Sequence, residues 1–195
     1  MFERESSSSE SRSEESIPSE FVQRADEIIF AAKKLRHPVL FRECFIHLVD
    51  RLHGSFYYGS AFSALREDKD LWLLLSEGKS NLRQLILQAQ NAILMASMDG
   101  LLQVDLKDQM IDALRADPEN SAWFFKHMLD LRELTHCVND EEAEEMFAPI
   151  EILLRSNLAL DQTDFGAGEG PYKNIFLCAE LADEDMPWDA AEFDW

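Results

Sequence analysis

Between Ser19 and Gly54 the apolar residues return every three or four positions, twice over. Phe21, Val22, Ala25, Ile28, Ile29, Ala32 and Leu35 form one stripe, with Asp26, Glu27, Lys33 and Lys34 mostly off it. Pro38 lacks an N–H and disfavours helix at the residue before it, so a first helix should end near Arg36. The same proline suits the first turn of a second helix. There Phe41, Cys44, Phe45, Leu48, Val49 and Leu52 make the second stripe, and Gly54 supplies a stop. Two stripes joined by so short a link predict a helical hairpin around which the rest of the chain is organised.

The pattern continues with breaks. SFYYGSAFSAL, from Ser55 to Leu65, reads as a connecting loop whose aromatics pack on the core. Asp68 to Glu77 predicts a short helix carrying Leu71, Trp72, Leu74 and Leu75, ended by Gly78. Ser80 then caps a further helix striped by Leu82, Leu85, Ile86, Ala89, Ile93 and Ala96. Leu87 and Leu94 lie off that stripe, which predicts a helix buried on more than one face and central to the fold. Gly100 ends it. Leu101 to Arg115 follows, with Leu102, Leu106, Met110 and Leu114 inward, then Glu119 to Cys137, with Trp123, Phe124, Met128, Leu131 and Leu134. A last helix starts at Asn139-Asp140, its first turn acidic as the helix dipole favours. Its stripe of Ala143, Met146, Phe147, Ile150, Leu153 and Leu154 keeps register across Pro149, which predicts a kink or a restart. From Asp161 the periodicity fails. Asn174 to Leu181 reads as a short strand or a turn of helix. No alternation long enough to build a sheet occurs, and no fixed-period repeat is present.

The expectation is an all-α fold, a compact multi-helix bundle of antiparallel helices. Residues 1–17 form a disordered Ser/Glu-rich tail, 18–160 the helical domain, and 161–195 an irregular acidic and aromatic segment packing in part on the helices. Ser7 and Ser11 each precede a glutamate by three residues and would suit an acid-directed kinase. A plain solvated tail accounts for them as well.

Charge sharpens this picture. The 195 residues carry a net charge of −20, and 46% are apolar. Residues 1–20 hold six acids against two bases, and 183–195 six acids with no base, so half of the excess sits at the two ends. Phosphate binding needs a basic face, and no Lys/Arg cluster supplies one, so nucleic acid is not an expected partner. No apolar run is long enough for a membrane span, and the first residues lack a secretory apolar segment. Three cysteines, Cys44, Cys137 and Cys178, argue against a disulfide framework and point to an intracellular, cytoplasmic or nuclear setting.

Candidate chemistry is thin. Cys44, His47 and His53 give C-x2-H-x5-H on one helix, but His53 sits nearly three turns from Cys44 and no fourth ligand is evident. Gly166, Gly168 and Gly170 give G-x-G-x-G, followed by Pro171-Tyr172 rather than the Lys-Ser/Thr of a phosphate loop. His127, His136 and Cys137 share a helix, yet adjacent residues diverge and do not form a dyad. Asp183, Glu184 and Asp185 say little in so acidic a chain. These readings give no catalytic residue, no cofactor and no metal. Trp188, Phe193 and Trp195 stand out among acids as candidate partner-binding residues. Folding of Trp188 back onto the helices is the equal alternative.

AAKKLRHPVLFRECFIHLV resembles the closing helical hairpin of a BTB/POZ fold, and FLCAELADEDMPWDAAEFDW resembles the D-E-D-x-P-W-D…D-W ending of a group of fungal BTB/POZ proteins. The resemblance spans roughly residues 20–195. It implies the all-α region behind a POZ domain and a non-enzymatic, adaptor-like role in protein–protein interaction; some relatives in the wider superfamily are adaptors for cullin ubiquitin ligases. The sheet half of a POZ domain should precede Ser19, where a short Ser/Glu tail stands instead. Dimerisation and cullin contacts are therefore not transferred, and no binding residue is carried over. Two other expectations stay open: an enzyme or metal protein built from dispersed Cys44, His47, His53, His127 and His136, or a truncated remnant. The remnant would show Phe41, Phe45 and Leu48 on an uncovered apolar face.

Overall fold

The computed structural model describes residues 18–53, 60–98, 121–134, 140–160 and 164–188. They form six helices: α1 (Pro18–Lys34), α2 (Pro38–His53), α3 (Ser60–Glu67), α4 (Lys69–Met98), α5 (Ala122–Leu134) and α6 (Asp140–Leu153). Two short 3-10 turns, Gly170–Tyr172 and Asp183–Asp185, interrupt an otherwise extended C-terminal strap over 164–188. The fold is all-α, and no strand occurs among the described residues.

The α1–α2 hairpin is closed by local chemistry. The His37 N–H reaches the Ala32 carbonyl (3.0 Å) and the Arg36 N–H reaches that of Lys33 (3.2 Å). This double bond stops α1 with Arg36 in the left-handed region, φ 50°. His37 then caps α2, its Nδ1 accepting the Leu40 N–H at 3.2 Å, ahead of Pro38 in the first turn. Leu35 falls in the stop itself and is exposed, so it leaves the stripe. Ala25, Ile29 and Ala32 are fully buried.

α2 is the element buried most nearly all round. Phe41, Cys44, Phe45, Leu48 and Val49 close against the other helices, while Glu43, Ile46 and His47 are also buried. The remnant's expected signature is not met: Phe41, Phe45 and Leu48 are between 0% and 1% exposed.

Three expectations are corrected. Residues 60–65, read as loop, belong to α3. Gly78 does not end a helix, and Ser80 does not begin one, because α4 runs unbroken through both for 30 residues. Gly78 is where α4 crosses α2: a Cβ there would lie 2.6 Å from Phe45 Cζ and 2.7 Å from Val49 Cγ2. The glycine serves close approach, which a stop signal mimics in sequence. Nor is α4 buried on a second face. Leu82, Ile86, Ala89 and Ile93 are buried, but Leu87 and Leu94 are 58% and 55% exposed. α4 nonetheless packs on α2, α3 and α6. α6 continues across Pro149, with Phe147, Ile150 and Leu153 buried. The helix expected over Leu101 to Arg115, and the stops at Gly54 and Gly100, lie outside the described residues.

Candidate functional site: the polar face of α2 under the C-terminal strap

Arg42, Glu43, His47 and Asp50 recur along one side of α2, and each engages the chain beyond α6. The Glu43 carboxylate, 3% exposed as a residue, accepts the N–H groups of Ala159 (2.9 Å) and Leu160 (3.3 Å). Asp50 accepts the Phe176 N–H at 2.8 Å. His47 stacks on Tyr172, ring centroids 6.2 Å apart. Arg42 Nε donates to the Leu181 carbonyl at 3.1 Å, and its guanidinium pairs with Asp183. Asn157, just past α6, donates its side-chain amide to the carbonyls of Cys178 (3.0 Å) and Ala179 (3.3 Å). An extended segment cannot satisfy its own backbone, so side chains of α2 and Asn157 do it.

Burial pushes the Asp50 carboxyl up to about 7, against the opposing pull of the Phe176 N–H and Arg51. Part of the residue's surface stays open, yet the carboxyl lies deep under the strap. The Cys44 and Cys178 thiols are both pushed up to about 12, chiefly by burial. Both are free, buried and far from thiolate at neutral pH.

The glycine-rich loop does a packing task. Gly168 has φ 87°, and a Cβ there would lie 2.6 Å from Lys126 Cβ and 2.8 Å from the Ala122 carbonyl oxygen. The loop is thus pressed onto the first turns of α5. Glu169 accepts the Gly166 N–H (3.1 Å) and pairs with Lys126 (3.1 Å), which also pairs with Asp130. The Gly166 N–H and then Lys126 hold the Glu169 carboxyl below its ordinary range.

Among the described residues the dispersed histidines and cysteines are not brought together. Cys44 lies in the apolar core, His47 against Tyr172, and His127 flat on Trp123 with centroids 5.4 Å apart. The side chains of His53, His136 and Cys137 lie outside the described residues. No group of three His, Cys, Asp or Glu is placed to hold a metal ion among the described residues.

Of the aromatic trio, Trp188 is half-buried and meets Phe41 edge to face, centroids 5.1 Å apart and planes at 82°. Phe193 and Trp195 lie outside the described residues. Sequence reasoning missed Glu43, Asp50 and Asn157. The signal available was two acids, Glu43 and Asp50, set among the apolar positions of α2, where a buried acid must find a donor.

Two shallow clefts flank the strap. One, about 370 Å³, lies between α4, the end of α6 and residues 178–180, with Asn81, Gln84 and Gln88 on one wall and Arg155 at the rim. The other, about 480 Å³, is bounded by Arg42, Ile46, Asn157 and Asp185. Among the described residues no helix is long and apolar enough to cross a membrane. Comparison with protein-family profiles, curated proteins and solved structures finds no match to this chain.

Proposed function

We propose that the chain is a non-enzymatic protein–protein interaction module of the cell interior, resembling the helical region behind the POZ domain of fungal BTB/POZ proteins and adaptor-like in use. One observation carries the reading. The two stretches that bear the resemblance lie against each other, through Arg42 with Leu181 and Asp183, Asp50 with Phe176, and Phe41 with Trp188. The ionisable groups of this region are spent on fastening a strap to a helix. Free, buried Cys44 and Cys178 suit a reducing compartment.

In this reading Trp188 is the anchor that fixes the start of the acidic, aromatic terminus beside α2, and Phe193 and Trp195 are the groups offered to a partner. Affinity capture from cells tests it, with the full chain as one bait and the Phe193→Ala/Trp195→Ala variant as the other. A defined partner should be recovered stoichiometrically by the first and lost from the second, with melting temperature unchanged. Equal recovery by both would remove these aromatics from the interface. Robust turnover of any substrate by the purified chain would end the non-enzymatic reading.

A further inference from the structure

α4 presents a face that the other described residues leave exposed. Its core side carries Leu71, Leu75, Leu82, Ile86, Ala89 and Ile93. On the opposite side Leu87, Leu94 and Met95 are 58%, 55% and 55% exposed, with exposed Gln84, Gln88 and Asn91 between them. From Gln84 to Met98 the helix has no charged residue over 15 positions, in a chain where 29% of residues are charged. Exposed helix faces of acidic proteins are ordinarily charged, and loss of charge with retention of Leu and Met is the mark of an interface core.

Spacing says what kind of interface. Gln84, Leu87, Asn91 and Leu94 follow one another at intervals of three, four and three residues. This is the spacing of a two-stranded seam, which would put Leu87 and Leu94 at d and Gln84 and Asn91 at a. Leucine at d suits a two-stranded parallel pair, and an asparagine at a facing its own copy fixes the register at a cost in stability, with Gln84 a second polar a position. Gln88 and Gln90 flank the seam where charged residues would otherwise stand, so no like charges are brought together beside it. Toward the N-terminus the seam is spoiled by Glu77, which would face its own copy at an a position.

We propose that this face binds a second copy of the chain, the C-terminal halves of two α4 helices pairing in parallel through Leu87, Asn91 and Leu94. Net charge supports a copy meeting only here. Two bodies of −20 repel wherever their acids face, and the charge-free stretch is the surface that spares them that cost. The seam lies opposite the core side of α4, so the two domains project away from each other.

Sedimentation of the full chain from micromolar to hundreds of micromolar tests this. A monomer–dimer equilibrium is expected, and added salt should strengthen it by screening the net repulsion. The Leu87→Glu/Leu94→Glu variant should dimerise more than about a hundredfold more weakly, since each glutamate would be buried opposite its like. Its melting temperature should match the parent's. In a Cys137→Ser background, Gln84→Cys and Asn91→Cys should each form a disulfide-linked dimer on mild oxidation, as only parallel pairing sets each position beside itself. A chain monomeric at the highest concentration overturns the proposal, as does a dimer indifferent to the double variant. A monomeric parent with a destabilised double variant also overturns it, because the face is then covered within the chain. Failure of both cysteine variants to link overturns the parallel register.

Discussion

Asp50 is a carboxyl group placed where charge is expensive. Its proton is held up to about 7 by burial, well above the ordinary 3.8. Between those two values the folded chain keeps a proton that the unfolded chain has lost. Folding therefore takes up a proton, and this group's contribution to stability falls as pH rises from about 4 to about 7. Asn at the same position cannot ionise but still offers an oxygen to the Phe176 N–H. Asp50→Asn should thus be more stable than the parent at pH 8, by more than about 1 kcal/mol, with the gap shrinking toward pH 4. Urea unfolding at several pH values measures it. A gap that does not change with pH would show that burial of the charge is not the cause. Asp68 works in the opposite sense. Burial alone would raise it, but Lys33 and the Leu71 N–H outweigh that and hold it below its ordinary range. Its contribution is present at neutral pH and is lost as pH falls through the folded value. Both acids hold a backbone N–H: Asp68 accepts that of Leu71 (3.1 Å) at the head of α4, and Asp50 that of Phe176 (2.8 Å) within the strap.

At the scale of elements, the crossing of α2 and α4 turns on one hydrogen atom. Gly78→Ala would raise helix propensity by about 1 kcal/mol in isolation. Here it drives a methyl group into Phe45 and Val49, at 2.6 Å and 2.7 Å. Overpacking of that kind costs about 1–3 kcal/mol, so a net loss of stability is expected, read as a lower urea midpoint at unchanged slope. A stabilised Gly78→Ala chain would mean that the helices do not cross there. The α1–α2 hairpin is legible from sequence because its signals are local: Pro38 fixes its own backbone and restricts its neighbour, and the apolar stripes lie on one face each. The run from Lys69 to Met98 is not, because glycine in a helix pattern has two meanings. A stop needs a left-handed backbone after the last turn, whereas a crossing needs a missing Cβ, and only the position of α2 distinguishes them. The outer leucines of α4 mislead for a related reason. Leu87 and Leu94 count as core by hydropathy, but burial depends on what lies opposite, which periodicity does not contain.

For the whole molecule, the strap is part of the core rather than an appendage. Tyr172, Phe176, Leu177 and Cys178 are buried together with helix residues, and Met186 closes the far end. Removing everything after Leu160 would uncover that apolar surface and leave Asp50 without the Phe176 N–H and Asn157 without its two carbonyl acceptors. Such a chain should lose its cooperative thermal transition and bind a hydrophobic dye at neutral pH, as a state lacking fixed packing does. A sharp transition close to the parent's would show that the helices hold without the strap. The acidic balance adds to the same point. Half of the excess negative charge lies within 1–20 and 183–195, so the helical middle can close without strong self-repulsion.

The amino-acid sequence by itself determined the helical class, the hairpin at His37-Pro38 and the acidic ends, because propensity, proline and charge act over a few neighbouring residues. It left open which apolar stripes are covered, what Gly78 is for, and where the buried acids find their donors. Those were decided only when α2 packed against both α4 and the strap. Contact across more than a hundred residues, such as Glu43 with Ala159 and Asp50 with Phe176, obeys tertiary geometry, and no local pattern encodes the far partner.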